Sequence, residues 1–287
     1  MNRRRFLHSA ALASAIPFLP RPLQGSAGRL TEAQSMKQLR PLGVQLYTVR
    51  SLMQDDFEDT LRKVAEVGYR EVEFAGYFGR TAEQVRNLLD ELGLKAPAAH
   101  LPLQRVRGNL QEAIDFAKTV GHEYLVVPWL DQELRRSVES YSEVVKILNQ
   151  AGRECRRQGV RLAYHNHDFE FQPVEGRVPM DLMLEESDPE ALDIEMDLYW
   201  ITKAGQDPLD YFRRYPGRFK LFHVKDMADT PEKGFASVGQ GIIDWPRIFR
   251  QIPQAGTVHY FVEQDQPGDD PIGSIRTSFQ YLKDLEY

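Results

Sequence analysis

The sequence predicts a single (β/α)8 barrel, an α/β fold in which eight parallel strands alternate with helices. From Pro41 onward, short β-rich runs alternate with longer amphipathic helical runs, and several helical runs stop at a glycine just before the next strand. Polar and titratable residues also collect where the strands end, although barrel strands otherwise favour Val, Ile and Leu. With 287 residues, the chain is long enough for one barrel of about 250 residues.

Eight short runs have the composition of strands. They are rich in β-branched, aliphatic and aromatic residues, and they cover 42–48, 69–75, 94–100, 124–129, 161–167, 192–197, 220–225 and 258–263. The rival architecture, a doubly wound sheet, usually has fewer strands and a glycine-rich phosphate loop after the first one. Here the first strand is followed by YTVRSLMQDD, which contains no such loop. We therefore predict one barrel and no second domain.

The helical runs between these strands begin and end at typical boundary residues. Phe57, Leu61 and Val64 form one apolar face of a run that stops at Gly68. Further runs are predicted from the N-cap Thr81 to Gly93, from Asn109 to Gly121, and near 272–285 at the C-terminus.

Composition narrows the class of partner. The formal net charge of −6 leaves no basic surface for nucleic acid or anionic lipid, so we expect neither nucleic acid nor a membrane as partner of the mature protein. Cys155 is the only cysteine, which excludes an intramolecular disulfide and a thiolate zinc cluster. We expect Cys155 to be a partly buried residue of a helix.

The first 40 residues have the features of an export signal. Three arginines at 3–5 precede an apolar run from about 10 to 19, and small residues follow near 26–27. The order RRRFL resembles a bacterial twin-arginine signal, and the apolar run is too short to span a bilayer. We expect residues 1–40 to be signal peptide and linker, 41–287 to be the barrel, and the protein to be periplasmic or exported. A disordered basic tail is the alternative.

Four successive strands end in residues able to bind a metal. These are His165, Asp197, His223 and Glu263. The carboxyl ends of barrel strands converge on one mouth, so these side chains are expected to meet in space. Two imidazoles and two carboxylates are suitable ligands for a divalent metal. Burying several carboxylates in one cleft without a cation would be costly.

Other polar residues lie at the same strand ends and are candidates for substrate binding. They are Gln45, Glu73, His100, Trp129 and, in the loop after the fifth strand, Glu170. Each could instead cap a strand or bind water at the surface. His167 is predicted to point to the same side of the fifth strand as His165, so one imidazole can bind metal while the other contacts substrate.

Two further residues are candidates for proton and charge transfer. Glu263 follows an apolar run, where a carboxylate can act as a ligand or a general base. Lys225 shares a strand face with His223 and is placed to stabilise an oxyanion, with Asp226 holding it in position; a surface ion pair between Lys225 and Asp226 is the alternative. Gly239 and Gly241 form either a loop that approaches a ligand or a tight turn.

Together these segments resemble the xylose isomerase-like TIM-barrel superfamily, the sugar phosphate isomerases and epimerases, over nearly all of 41–287. The matching segments are GVQLYTVR, EVEFAG, AAHLPL, LAYHNHDFEF, HVKD, GQGIIDW and FVEQD. The resemblance implies one divalent metal ion (Mn, Co, Mg or Zn) bound by His165, Asp197, His223 and Glu263. In the epimerase branches the strand-5 ligand is a glutamate that doubles as base. His165 at this position is more similar to inosose dehydratase and the related 3-keto-glycoside lyases.

The resemblance implies an isomerase, epimerase or lyase that acts on a small keto-sugar or sugar derivative by removing a proton next to a carbonyl. Glu263, His165 or His167 would take the proton, and Lys225 would neutralise the oxyanion. Two alternatives remain open: an exported, non-catalytic sugar-binding barrel that uses its tryptophans for stacking, and a metal-dependent hydrolase of the endonuclease IV-like branch, which the acidic charge disfavours. Each of these functions is compatible with a homo-oligomer.

Overall fold

The computed structural model describes residues 38–287. Ten strands are present in this range: β1 (Gly43–Gln45), β2 (Glu71–Phe74), β3 (Lys95–His100), β4 (Tyr124–Val127), β5 (Arg161–His165), β6 (Leu192–Asp197), β7 (Phe219–Val224), β8 (Asp226–Met227), β9 (Phe235–Ala236) and β10 (His259–Val262).

Twelve α-helices lie in the same range: α1 (Arg50–Asp55), α2 (Phe57–Val67), α3 (Ala82–Leu92), α4 (Leu103–Gly108), α5 (Leu110–Val120), α6 (Val138–Arg157), α7 (Pro179–Glu186), α8 (Leu198–Lys203), α9 (Pro208–Arg214), α10 (Trp245–Phe249), α11 (Ile252–Ala255) and α12 (Pro271–Asp284). Three 3-10 helices cover Leu46–Val49, Gln132–Arg135 and Phe169–Phe171.

Eight of the strands close into one parallel barrel in the order β1-β10-β7-β6-β5-β4-β3-β2. The predicted (β/α)8 barrel is therefore confirmed, and each of the eight barrel strands falls within one residue of a predicted run. β8 and β9 form a separate antiparallel hairpin that the sequence did not predict. This hairpin lies between β7 and α10, at the carboxyl end of the barrel.

Local chemistry explains the helix boundaries. Thr81 and Gln84 form a reciprocal capping box at the start of α3, and Gly93 ends the helix in the left-handed conformation. Asp56 caps α2 through the N–H of Asp59. Gly68, which ends α2, has a φ of 122°, and an added Cβ would lie only 2.4 Å from the ring of Phe279. These boundaries agree with the predicted ones.

Several predicted strands end earlier than expected, and in β1 and β5 a side chain redirects the backbone. The Gln45 side chain accepts the N–H of Tyr47 and starts a 3-10 helix, so β1 stops at Gln45. β5 stops at His165, and the N–H of His167 donates to Glu170 at 2.8 Å instead of continuing the ladder. His167 therefore lies in the loop beyond β5 and not in the strand with His165.

The interior of the barrel changes character along its axis. A small apolar layer is formed by Ala98, Tyr124, Val126, Ala163, Leu221 and Phe261. Towards the carboxyl ends of the strands, the inward-facing residues become carboxylates and imidazoles that are almost completely buried, among them Glu73, His165, Glu195, Asp197 and His223. The main hydrophobic core packs between the strands and the surrounding helices. The buried polar layer lies under the mouth of the barrel and requires a functional explanation.

Two predictions concern targeting: the signal peptide and the absence of a membrane-spanning segment. The predicted signal peptide falls in residues 1–37, which lie outside the described residues. Within 38–287, none of the helices has the length and apolar character needed to cross a bilayer.

Candidate active site

Three of the four predicted metal ligands meet at the carboxyl end of the barrel. Asp197, His223 and Glu263 each offer a ligand atom within 4.8 Å of the others; these three residues are called the outer group. Nδ1 of His223 lies 2.8 Å from Oε2 of Glu263 and 3.9 Å from Oδ2 of Asp197. Nε2 of His165, the fourth predicted ligand, lies 3.8 Å from the same Asp197 oxygen. All four side chains are at least 94% buried.

Asp197 combines the two roles that its sequence position allows. Its Oδ1 accepts the N–H groups of Tyr199 at 2.9 Å and Trp200 at 3.0 Å, and so caps α8. Its Oδ2 has no hydrogen-bond partner, although the ammonium group of Lys225 lies 2.9 Å away. We treat this contact as an ion pair, since the distance is short but the directions of the groups do not suit a hydrogen bond. The cap fixes the carboxylate and leaves one oxygen available to a cation.

Lys225 is a buried cation that lies beside the outer group. Its Nζ lies 2.9 Å from Asp197, 2.7 Å from Glu263 and 3.0 Å from Asp265. Burial alone would lower the pKa of this lysine, but attraction to Asp197 and Glu263 outweighs it and holds the pKa well above the ordinary value. Lys225 is therefore charged and placed next to the two carboxylates that could bind a metal.

Asp226 does not contact Lys225. The prediction that Asp226 holds Lys225 in position is therefore wrong, and so is the alternative of a surface ion pair between the two. The carboxylate of Asp226 is buried and accepts the N–H groups of Gly239, Gly241 and Ile243 and the indole N–H of Trp245, at 2.9 to 3.2 Å. An added Cβ on Gly241 would lie 2.3 Å from Asp226 Oδ1. The two glycines therefore allow the loop to wrap around a carboxylate of the chain itself.

A second group of donors lies beneath the outer group. It consists of His100, His165, Glu195 and His223, called the inner group, whose ligand atoms also lie within 4.8 Å of one another. Oε2 of Glu195 is 3.1 Å from Nδ1 of His165, 3.1 Å from Nε2 of His223 and 3.4 Å from Nε2 of His100. Glu195 is not among the site residues predicted from the sequence. The signal was present, because residues two apart on a strand face the same side and Glu195 precedes Asp197 by two.

Glu195 orders the tautomer of His165, and it shares Nε2 of His223 with Glu73. It faces Nδ1 of His165 and Nε2 of His223, and these nitrogens are the natural N–H donors to a carboxylate. The opposite nitrogens, Nε2 of His165 and Nδ1 of His223, face Asp197 and the outer group. A carboxylate that receives the second N–H of a metal-binding imidazole is the usual arrangement around metal centres.

Burial and neighbouring charges set the protonation states of the site. Burial, and then repulsion by His223, lower the pKa of His165 to about 3. Burial alone would lower the pKa of His223, but Glu195 and Glu263 hold this pKa well above the ordinary value. Burial raises the pKa of Asp197 to about 6 against the opposing attraction of Lys225. Burial would also raise the pKa of Glu263, yet Lys225 and His223 keep it well below the ordinary value.

Gln45 and Glu73, two predicted substrate contacts, lie behind the imidazoles. Nε2 of Gln45 donates to Oε2 of Glu73 at 2.8 Å and lies 3.2 Å from Nε2 of His100. The same Glu73 oxygen is 2.7 Å from Nε2 of His223. Both side chains are fully buried and neither lines the pocket described next, whereas His100 does.

A pocket of about 390 Å³ opens above the two groups. His165, Lys225 and Glu263 lie on its floor side, together with the predicted residues His100, His167 and Trp129. The ring of Trp129 packs edge-on against His167 with centroids 4.7 Å apart, and Trp129 is 46% exposed. Nδ1 of His167 is buried and has no hydrogen-bond partner. This volume suits a ligand of small-sugar size.

Glu170 supports the loop that carries His167. It is fully buried, accepts the N–H of His167 at 2.8 Å, and also accepts the hydroxyl of Tyr164. Burial raises the pKa of Glu170 to about 7. Glu170 therefore positions His167 and is not among the residues that line the pocket.

The donors fit a divalent metal. Glu195 Oε1 and His167 Nδ1 are buried polar atoms without a hydrogen-bond partner, which is rare unless a ligand or ion completes them, and Asp197 Oδ2 has only its ion pair with Lys225. Carboxylate oxygens and imidazole nitrogens are ligands that Zn²⁺, Mn²⁺ and Co²⁺ accept. The arrangement can thus bind a cation, hold a charged lysine beside it and expose an imidazole to the same pocket.

The sequence matches a family model described as the xylose isomerase-like TIM barrel over residues 61–285. The chain belongs to this family. The inosose dehydratase of Lacticaseibacillus casei is 22% identical over 265 residues, which cover 79% of this chain and 88% of the relative. The family resemblance inferred from the motifs is therefore confirmed.

Solved structures of the xylose isomerase-like family superpose on this barrel. A sugar phosphate isomerase/epimerase from Parabacteroides distasonis ATCC 8503 has a TM-score of 0.75 at 25% identity, with 85% of this chain and 98% of that chain covered. The IolI protein, solved with a bound zinc atom, has a TM-score of 0.68 at 14% identity, with 84% and 97% covered. The protein is an enzyme of the isomerase or lyase type.

Proposed function

We propose that this enzyme uses one divalent metal ion to remove a proton next to the carbonyl of a keto-sugar or sugar derivative, with isomerisation, epimerisation or elimination as the outcome. The observation that carries the proposal is the outer group, Asp197, His223 and Glu263. Its member Glu263 lines a pocket of about 390 Å³ together with Lys225, which pairs with Asp197 and Glu263. The similarity to inosose dehydratases and to a sugar phosphate isomerase/epimerase supports the sugar substrate and the small-molecule partner.

The metal would be held by Asp197, His223 and Glu263, with His165 completing the set through Nε2. These groups offer two carboxylates and two imidazoles, and a structural relative contains zinc. Lewis-acid polarisation of a carbonyl, which acidifies the neighbouring C–H, is the chemistry that such a cation supplies. Manganese, cobalt, magnesium and zinc are all compatible with this donor set.

His167 is the residue we assign as the group that takes the proton. His167 lines the pocket, and its Nδ1 has no hydrogen-bond partner to displace. His165 is less suited because its Nδ1 already faces Glu195. Glu263 remains the alternative base, since its pKa is low and it is ionised, but it is paired with Lys225 and His223.

Lys225 stabilises negative charge on the substrate. Its ammonium group lines the pocket and lies beside the outer group, so an oxygen that gains charge during proton removal would find a fixed cation next to it. Trp200 and Phe235 pack over this ammonium, with ring centroids 5.6 and 5.7 Å away, and exclude water from its other side.

A comparison of two glutamine variants tests the proposal. Glu263→Gln removes a charged ligand, so turnover on a panel of keto-sugars should fall by more than a hundredfold and the bound metal should decrease. Glu123→Gln changes an exposed glutamate at the opposite end of the barrel and should leave both values unchanged. Wild-type turnover in Glu263→Gln would remove this residue from the mechanism.

We also propose that the protein is exported through its twin-arginine-like segment, with residues 41–287 as the mature barrel. The order of residues 3–7 supports this proposal. Replacing Arg3 and Arg4 by lysine should retain the full-length protein in the cytoplasm, whereas the unaltered chain should be recovered in the periplasmic fraction. Equal periplasmic recovery of both chains would contradict export by this route.

We also propose that the mature chain forms a homo-oligomer, and size-exclusion chromatography tests this.

A further inference from the structure

We propose that the substrate carries a flat aromatic substituent beyond its reacting ring, and that a recess next to the catalytic pocket binds this substituent. The recess has a volume of about 160 Å³ and is lined by Leu46, Tyr47, Arg50, Ala75, Gly76 and Phe78. Two of these residues, Tyr47 and Ala75, also line the catalytic pocket, so the two spaces adjoin. The inference rests on the proposed function because it extends the same substrate.

Exposed aromatic rings concentrate around this part of the barrel mouth. Among the described residues, five large hydrophobic side chains are strongly exposed, and three of them are Tyr47 (42%), Phe78 (40%) and Trp129 (46%). Each of these three lines the pocket or the recess. Exposed aromatic area costs free energy in water, and its accumulation at one site is typical of a ligand-binding surface.

Phe78 is held in a conformation that phenylalanine rarely adopts. Its φ is 50°, in the left-handed region that favours glycine or asparagine. The carbonyl of Phe78 accepts Nη1 of Arg80 at 2.9 Å, and the Phe78 ring packs against Phe57 with centroids 6.2 Å apart. Strain of this kind persists where neighbouring groups impose it, and it is concentrated at functional sites. Here it places a ring at the recess.

Arg50 makes the recess rigid and connects it to the catalytic residues. Its guanidinium group lies 4.0 Å from the ring centre of Tyr47 and donates to the carbonyls of Tyr47 at 2.7 Å and Asp265 at 2.9 Å. The side chain of Asp265 in turn pairs with Lys225 at 3.0 Å. The wall of the recess is therefore preformed, which reduces the entropy lost when a ligand binds.

The chemistry of the walls selects the substituent. Leu46, Ala75, Gly76 and Phe78 offer no polar side chain, and the polar groups of the recess are the Tyr47 hydroxyl and the Arg50 guanidinium, which already donates to two carbonyls. A second sugar ring would place most of its hydroxyl groups against the apolar side chains, which is costly. The cavity of about 160 Å³ has room for one flat ring. An aromatic aglycone or ester therefore fits better than a disaccharide.

The test compares two probes that differ only in the substituent, 4-nitrophenyl β-D-glucoside and methyl β-D-glucoside. Binding is measured by calorimetry on the full chain loaded with Mn²⁺. We expect the nitrophenyl compound to bind about tenfold more tightly, and Phe78→Asn to reduce that ratio to about two or less while methyl glucoside binding is unchanged. Asparagine tolerates positive φ, so Phe78→Asn removes the ring without adding backbone strain.

Ile242→Asn is the matched control, because Ile242 is 51% exposed and lines a different cavity. It should leave the ratio at the wild-type value. Equal affinities for the two glucosides in the wild type, or a ratio that Phe78→Asn does not change, would overturn the inference. 4-Nitrophenol alone tests the recess separately. If neither glucoside binds, the proposed sugar substrate fails, but binding of 4-nitrophenol that Phe78→Asn abolishes still supports the recess. If 4-nitrophenol does not bind to the wild type, the proposed recess is overturned.

Discussion

Nε2 of His223 lies 3.1 Å from Oε2 of Glu195, beneath the floor of the catalytic pocket. The other nitrogen of the same ring faces Glu263 at 2.8 Å. His223 thus connects a carboxylate of the inner group with a carboxylate of the outer group. This relationship makes Glu195 a positioning residue, which acts through the imidazoles and does not line the pocket.

Replacing Glu195 should weaken metal binding without removing a ligand. In Glu195→Gln an amide replaces the carboxylate that faces Nδ1 of His165, so this imidazole would lose its preferred tautomer and affinity for Mn²⁺ should fall about 10- to 100-fold. Metal titration by calorimetry measures this directly, without reference to turnover. Glu123→Gln, an exposed change, should bind metal like the wild type. An unaltered Mn²⁺ affinity in Glu195→Gln would show that the inner group is not coupled to the metal.

Lys225→Met should make the folded state dependent on metal. Removing this ammonium leaves Asp197 and Glu263 buried without their cation, and breaking a buried pair of this kind typically costs about 3 to 5 kcal/mol. Urea unfolding in EDTA should show this loss, and saturating Mn²⁺ should recover more stability in Lys225→Met than in the wild type. Lys118→Met removes an exposed lysine and controls for net charge. The idea is refuted if Mn²⁺ stabilises both proteins equally.

Asp226→Asn should destabilise the loop that follows β8. Five N–H donors, including that of Met227, converge on this carboxylate, and an amide in its place can accept fewer of them and adds donors of its own. We expect a loss of about 2 to 3 kcal/mol in the free energy of unfolding, measured with urea. Asp229→Asn, an exposed change in the same hairpin, should cost under about 0.5 kcal/mol. Equal stabilities of the two variants would contradict the structural role of Asp226.

His122 should make the fold sensitive to acid. Burial lowers the pKa of His122 to about 4, and the neutral ring is held between the carbonyl of Ala96 at 2.6 Å and the hydroxyl of Tyr77 at 2.8 Å. Because the folded pKa lies below the unfolded value of about 6.5, the unfolded chain binds a proton first as the pH falls. The stability contributed by neutral His122 is complete above pH 6.5 and is lost between about pH 6.5 and 4.

The comparison with His122→Gln isolates this contribution. Between pH 7 and 4.5 the wild type should lose about 2 kcal/mol more than the variant in its free energy of unfolding, because most of the interval between the folded pKa of about 4 and the unfolded value of about 6.5 lies in this pH range. Urea titrations at the two pH values measure both losses. If wild type and variant lose the same amount, His122 is not buried in its neutral form.

Features of the fold that depend on nearby residues were predictable. Thr81 with Gly93 delimits a helix, and alternating β-rich and amphipathic runs specify eight strand–helix units, because capping and periodicity act over a few residues. The collection of His165, Asp197, His223 and Glu263 at one end of the barrel also followed from chain order, since parallel strands all point the same way. Whether each binds metal stays a prediction.

The partners of individual side chains were not predictable in the same way. Lys225 was expected to pair with its neighbour Asp226, but it pairs with Asp197, Glu263 and Asp265 from other segments. The partners of Lys225 and Asp226 depend on the direction of side chains at the end of β7 and on the loop that surrounds Asp226. Neither is encoded in spacing along one strand.

The sequence by itself thus determined the number and order of strands, the caps of helices and the kinds of donor at the mouth, because each follows from local periodicity or chain direction. Only the tertiary structure decided that Glu195 on β6 faces His100 on β3 and His223 on β7, and that Tyr47 and Phe78 border a recess beside the pocket. The physical reason is barrel closure. The stagger between strands and the packing of loops set which inward side chains reach the same level, and both depend on contacts among residues far apart in the chain.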